Sequence, residues 1–237
     1  VSSGRYVASI TRSDASDLSI LLGVGSALSS AVTLDIRTAT PPIASKLDDM
    51  TFMSGGVPSC YDGDSVFDIG FAHPPQYSMC SVNSVAGGGG GLTINSVYRY
   101  LFTYEWRTSG GSILRSAPSN QLYPLQNTTG DFTVTANVPC IGLTNNQVPG
   151  SYVRPVRAGI YRTTANAATY YEVTAGATSN TRLNNTSPAL ADYRMVCTDG
   201  MSDTLLRKQS PIYTTGGILP DEQPPSSSCV AVIGRRV

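Results

Sequence analysis

The stretch SVYRYLFTYEWRTSGGSILRSAPSN, Ser96 to Asn120, decides the fold class. Tyr98, Tyr100, Phe102, Tyr104 and Trp106 alternate strictly with Arg99, Leu101, Thr103, Glu105 and Arg107. A strand sends every second side chain to one face, so the five aromatics share a face there and scatter on a helix. Ser109-Gly110-Gly111 supplies a turn, Ser112 to Ala117 returns as a partner strand, and Pro118 ends the ladder because proline has no N–H to donate. The stretch is a β-hairpin. Its aromatic face is expected to be core, with Phe102 and Tyr104 buried and Arg99 and Glu105 more exposed.

Outward from the hairpin, short apolar runs recur between turn signals. Residues 5–10, 31–40, 131–138, 156–163, 169–174, 192–199 and 231–237 read as strands. Residues 13–30 read as irregular or a short helix, with Ser13 a possible cap and Gly23 and Gly25 weakening it. Residues 200–211 read as a connection. The fold class is therefore all-β, an antiparallel sandwich flanked by β-rich segments. Three parts are expected. Residues 1–91 form a β-rich segment ending in the glycine run 86–91, a flexible linker or a backbone-only loop. Residues 92–210 form the sandwich, and 211–237 an extended segment with a strand. Starting on Val1 and ending on Val-Ile-Gly-Arg-Arg-Val, the sequence reads as a piece of a longer polypeptide.

Composition narrows the function. Only 14% of the 237 residues are charged, and 16 basic residues balance 16 acidic ones. This is no footprint for gripping nucleic acid. Solubility rests on uncharged polar groups or on burial of surface in an assembly. No apolar run is long enough to span a bilayer: Leu18 to Leu34, the most apolar region, is interrupted by Gly and Ser residues and stopped by Asp35. The cysteines (60, 80, 140, 197 and 229) are five and widely spaced, which reads as mostly buried thiols with no metal motif. His73, the single histidine, precedes Pro74-Pro75 and reads as a polar loop residue.

The remaining chemical motifs are weak. Asp62-Gly63 reads as a hairpin turn because the calcium-loop pattern around it is incomplete. The glycine run lacks the Gly-Lys-Ser/Thr ending of a phosphate loop. Asn127, Asn184 and Asn185 begin glycosylation sequons that matter only in a eukaryotic secretory pathway. No catalytic, cofactor or metal residue is assigned. Tyr98, Tyr100, Phe102, Tyr104, Trp106, Tyr161 and Tyr171 are assigned to the core.

Three segments carry a resemblance. FMSGGVPSCYDGDSVFDIGFAHPP (52–75) leads through a glycine-rich break into the aromatic strand and RSAPS (115–119). AGIYRTTANAATYYEV (158–173) and SPIYTTGGILPDEQPPSSSCVAVIGRRV (210–237) follow. In this order they resemble the tail nozzle, or tail tubular, proteins of short-tailed bacteriophages, over residues 51–237. The present chain is much shorter than such a nozzle protein. The resemblance implies fibronectin- or immunoglobulin-like sandwiches beside propeller-like parts, and a structural role in a virion tail assembled in the host cytoplasm. It also implies packing with copies of itself, as a sixfold ring, and with other tail proteins around a DNA channel, and it carries over no catalytic residue. Two rival readings remain. A receptor-recognition module for a host-surface glycan predicts exposed aromatics in a groove. A glycan-degrading enzyme predicts carboxylates converging in a cleft.

Overall fold

The computed structural model describes residues 43–48, 50–54, 57–61, 66–87, 89–108, 111–123, 132–141, 156–173, 194–212, 220–227, 229 and 231, together with the backbone of 5–12, 18–24 and 31–36. Almost all of the regular structure is β. The strands are β1 (Arg5–Arg12), β2 (Leu18–Val24), β3 (Ala31–Ile36), β4 (Ala44–Leu47), β5 (Met50–Met53), β6 (Ser59–Tyr61), β7 (Val66–Asp68) and β8 (Ser81–Ala86). They continue as β9 (Tyr100–Arg107), β10 (Ile113–Arg115), β11 (Phe132–Pro139), β12 (Arg157–Thr163), β13 (Tyr170–Glu172) and β14 (Arg194–Asp199). One short helix, α1 (Asp203–Leu206), follows in the segment expected to be only a connection. At 13–30 the expectation is corrected. Leu18–Val24 is a strand paired on both sides, with β1 and β3. Gly23 counts against a helix there, and pairing on both sides, to Tyr6 and Ala31, makes the run a strand.

The strands form antiparallel sheets ordered β1-β2-β3, β4-β5-β6-β7, β10-β9-β12-β13 and β14-β11-β8. The last two share one core. From β9 and the residue pair before it come Tyr98, Tyr100, Phe102, Tyr104 and Trp106, and from β12 come Ala158 and Ile160. Opposite them lie Phe132, Val134, Ala136 and Val138 of β11, Val82 of β8, and Met195 and Cys197 of β14. Every one of these contributors obeys the period of two, so each strand presents one apolar edge of its pleat inward. Cys60, Phe67 and Phe71 bring the β4–β7 sheet into the same cluster, with the Phe67 and Trp106 ring centroids 3.8 Å apart.

The hairpin of β9 and β10 is as expected, with Ile113 opposite Arg107. Beyond Arg115 the expectation that Pro118 ends the ladder is only half met. Ser116 N–H donates to Tyr104 O and Ser119 N–H to Phe102 O. The two serine hydroxyls in turn accept from Tyr104 N–H (2.9 Å) and Phe102 N–H (3.1 Å). Side-chain oxygens thus stand in for the carbonyls that the proline turn takes out of register, and β9 keeps its partners.

The expected boundary at residue 91 falls inside the fold. β8 pairs with β11 from Ser81↔Asn137 to Ala86↔Phe132, so the sheet begins before the glycine run. That run is the backbone-only alternative. Gly91 N–H donates to Gly200 O at 2.8 Å, and any side chain on Gly90 would fall on the Phe132 carbonyl. Residues 211 and 212 also belong here, since Ile212 packs with Leu101, Tyr161 and Tyr170. The expected strand at the C-terminus lies, apart from Ala231, outside the described residues, as do the Asp62-Gly63 turn and the three sequons.

Candidate functional site: two buried ion-pair clusters

The seven residues assigned to the core divide as follows. Tyr98, Tyr100, Phe102 and Tyr104 are fully buried, Trp106 and Tyr161 nearly so, and Tyr171 is half-buried against the cluster. The polar face of β9 is where the sequence reading fails. Glu105 is 1% exposed, against the expectation of exposure, and Arg99 is half-buried. Alternation assigns residues to a face but does not say what covers it.

What surrounds Glu105 is a charge cluster reaching all four strands of its sheet. Tyr161 Oη (β12) donates to Glu105 Oε1 at 2.5 Å, and Arg115 Nε (β10) approaches the same oxygen at 2.9 Å. Arg157 Nη2 (β12) bridges Glu105 Oε2 and Glu172 Oε1 (β13), each at 3.2 Å. Gly159 makes room: a β-carbon there would collide with Glu105 Oε1 and Thr103 Oγ1. Burial pushes the Glu105 pKa upward, but the Tyr161 hydrogen bond and the Arg115 and Arg157 guanidiniums outweigh it and hold the carboxyl below its usual 4.5. Burial, with the neighbouring carboxylate, pushes the Tyr161 hydroxyl far above its usual value.

A second cluster closes one end of the shared core. Arg162 points inward from β12 and is fully buried. Its Nε lies 2.7 Å from Asp199 Oδ2 of β14. Its Nη1 lies 3.0 Å from Asp203 Oδ1 at the start of α1, and Nη2 donates to Met201 O. Tyr100 Oη donates to Asp199 Oδ2 at 2.8 Å, and the guanidinium carbon sits 4.7 Å from the Tyr98 ring centroid. One arginine therefore ties both sheets and the helix together.

Chemically, both clusters are closed at their centres. The central carboxylates, Glu105 and Asp199, face arginines and tyrosine hydroxyls and not open solvent, while Glu172 and Asp203 at the margins keep some exposure. A gap lined mainly by apolar side chains, Phe67, Phe71, Trp106, Leu114 and Val156, with Asp68 and Gly70 also at its wall, has a volume of about 10 Å³, the size of one water. Cys80 and Cys197 are buried thiols with pKa values pushed up to about 12 by desolvation, so neither is a thiolate at neutral pH. Cys60 is also buried, Cys140 half-buried and Cys229 exposed. His73 is exposed, with Nδ1 2.9 Å from Pro74 O. No group of three or more metal-ligating side chains, and no helix long and apolar enough to cross a membrane, occurs among the described residues.

No protein-family model, curated protein or solved structure matches the chain. The class that the fold itself defines is an all-β protein of small antiparallel sheets.

Proposed function

We propose that this chain is a structural component of a bacteriophage tail, a nozzle or tube-wall part that acts by packing against copies of itself and against other tail proteins. The observation that favours it over the two rivals is the burial of the aromatic ladder. A glycan platform needs Tyr98 to Trp106 on a surface, and these side chains are 0 to 3% exposed. A glycosidase needs a carboxylic acid beside a carboxylate that can reach substrate. Glu105 and Asp199 are both sealed and neutralised by arginine. Within this reading the module is fibronectin- or immunoglobulin-like. Its support is the division of β8 to β14 into sheets of three and four, with two hairpins meeting at β9 and β12. The departure from such a fold is β14, which closes the three-stranded sheet from the far side of β11. The membership of the particle is tested by imaging virions of the source phage and locating the chain. Density for the chain in the tail wall, touching other subunits, supports the proposal; a chain absent from the particle, or monomeric within it, overturns it.

A further inference from the structure

The edge strands of this protein are unequal. Unpaired edges invite another chain, and natural sheets blunt them with charges or cover. β10 is covered by the segment at Asp221, which exchanges backbone and side-chain hydrogen bonds with Arg115. β13 is covered by residues 210–212, through Glu172 N–H to Ser210 O and Ile212 N–H to Tyr170 O. β14 carries Arg194, β4 carries Lys46 and β7 carries Asp68. β1 and β3 carry Arg5 and Asp35.

β8 differs from all of these. Its sequence is Ser-Val-Asn-Ser-Val-Ala, with no charge and no proline, and its register on β11 runs without a bulge. Among the described residues no strand pairs with its other edge. Asn83, Val85 and Ala86 are exposed, and Tyr77 and Met79 just before the strand are 56% and 50% exposed.

We propose that β8 is a self-association edge, on which a second copy of this chain adds its own β8 in antiparallel pairing. The occupant follows from charge. Two copies of an uncharged strand meet with no like-charge pair in any register. A two-fold pairing also joins β14-β11-β8 to its symmetry mate as one continuous sheet and brings the Tyr77 and Met79 shoulders alongside it. The inference extends the assembly reading but stands on the edge strand alone, so a chain found outside a phage tail leaves it intact.

The test is self-association of the purified chain by sedimentation, up to about 100 µM, with amide exchange read strand by strand. The wild type is expected to dimerise, with exchange in Ser81–Ala86 slowing as concentration rises. Asn83→Lys combined with Val85→Lys places like charges opposite or diagonal to one another in the two-fold registers centred on residues 82 to 86, and should weaken the dimer about tenfold or more. Mixing that variant with Asn83→Glu, Val85→Glu should restore pairing as a mixed dimer. A wild type that stays monomeric, a dimer indifferent to both variants, or exchange in β8 independent of concentration overturns the proposal.

Discussion

Glu105 and Asp199 are both carboxylates sealed from water and paired with arginine, yet losing the charge should cost different amounts. The arginine side chains holding Glu105 are 22% and 37% exposed, so they regain hydration when their partner is neutralised. Arg162, which Asp199 holds, has no access to solvent at all. Glu105→Gln is therefore expected to cost about 2 kcal/mol, the scale of a lost charged hydrogen bond. Asp199→Asn should cost more, about 3 kcal/mol, the lower end for breaking a buried ion pair, because Arg162 then keeps only one carboxylate, the partly exposed Asp203, among its described partners. Urea midpoints of the two variants check the order, and equal losses would contradict the burial argument. Acid should act on the first cluster in a predictable sense. The folded-state pKa of Glu105 lies below the usual 4.5, so its stabilisation is complete above 4.5 and is lost as pH falls through the lower folded value. The stability gap between wild type and Glu105→Gln should be constant near neutral pH and shrink in acid below 4.5. A gap that widens there reverses the sign and refutes the assignment. Neither cluster was legible in the sequence. Glu105 sits at a position that alternation marks as outward, and nothing local announces Arg115 from β10 and Arg157 and Tyr161 from β12 arriving to surround it.

Elements were more legible where a strand carries its own period. β9 announces itself because five aromatics occupy one parity; β12, β13 and β14 each lie within an expected run, and β11 overruns its own by one residue, Pro139. β2 was missed because its apolar residues, Leu18, Ile20, Leu21 and Leu22, do not alternate and two glycines fall at its end. Such a run is settled by β1 and β3 pairing on either side of it. α1, at four residues, is too short to display a helical period. The return strand shows how element-level chemistry outlives the formal ladder. Ser119 is buried, and its hydroxyl is the acceptor for the Phe102 N–H in the middle of the core strand. Ser119→Ala removes that acceptor without changing the backbone and should cost about 1 to 3 kcal/mol, the desolvation cost of a stranded donor. Ser119→Thr keeps the hydroxyl and should recover most of it. Thermal unfolding of both variants, with amide exchange at Phe102, is the measurement, and an alanine variant as stable as wild type would show that the bond contributes nothing.

At the scale of the whole molecule, the question is where one cooperative unit ends. The hairpin-rich stretch from Leu92 to Ser210 looks self-sufficient in sequence, bounded by a glycine run on one side and Pro211 on the other. Packing contradicts that boundary. β8 supplies the whole of one neighbour to β11, which without it would bare an edge at the centre of its sheet. Cys60, Phe67 and Phe71 fill the core beside Trp106 and Tyr104. Asp221 pins β10 at Arg115, while the same short segment bridges Phe71, with Phe71 N–H donating to Asp221 O and Gln223 N–H to Phe71 O. Gly70 allows that approach: its φ is +71°, and a side chain there would collide with the Glu222 carbonyl. The β4–β7 sheet, the two core sheets and the segment at 221–223 are thus expected to unfold together. A fragment spanning 92–210 loses β8, four aromatic or thiol contributors (Cys60, Phe67, Phe71 and Cys80) and the cover on β10. Stripping several large side chains from a core, at about 2 to 5 kcal/mol each, exceeds the 5 to 15 kcal/mol that holds a typical domain. That fragment should show no cooperative thermal transition and poor dispersion of its amide resonances. A fragment spanning 43–237 keeps every one of these contacts and should melt in a single transition close to that of the full chain. If 92–210 folds alone with native-like dispersion, the unit is the smaller one and the contacts from β8 and the β4–β7 sheet are dispensable. If 43–237 melts in two separated steps, the β4–β7 sheet is a unit of its own despite Phe67 and Phe71.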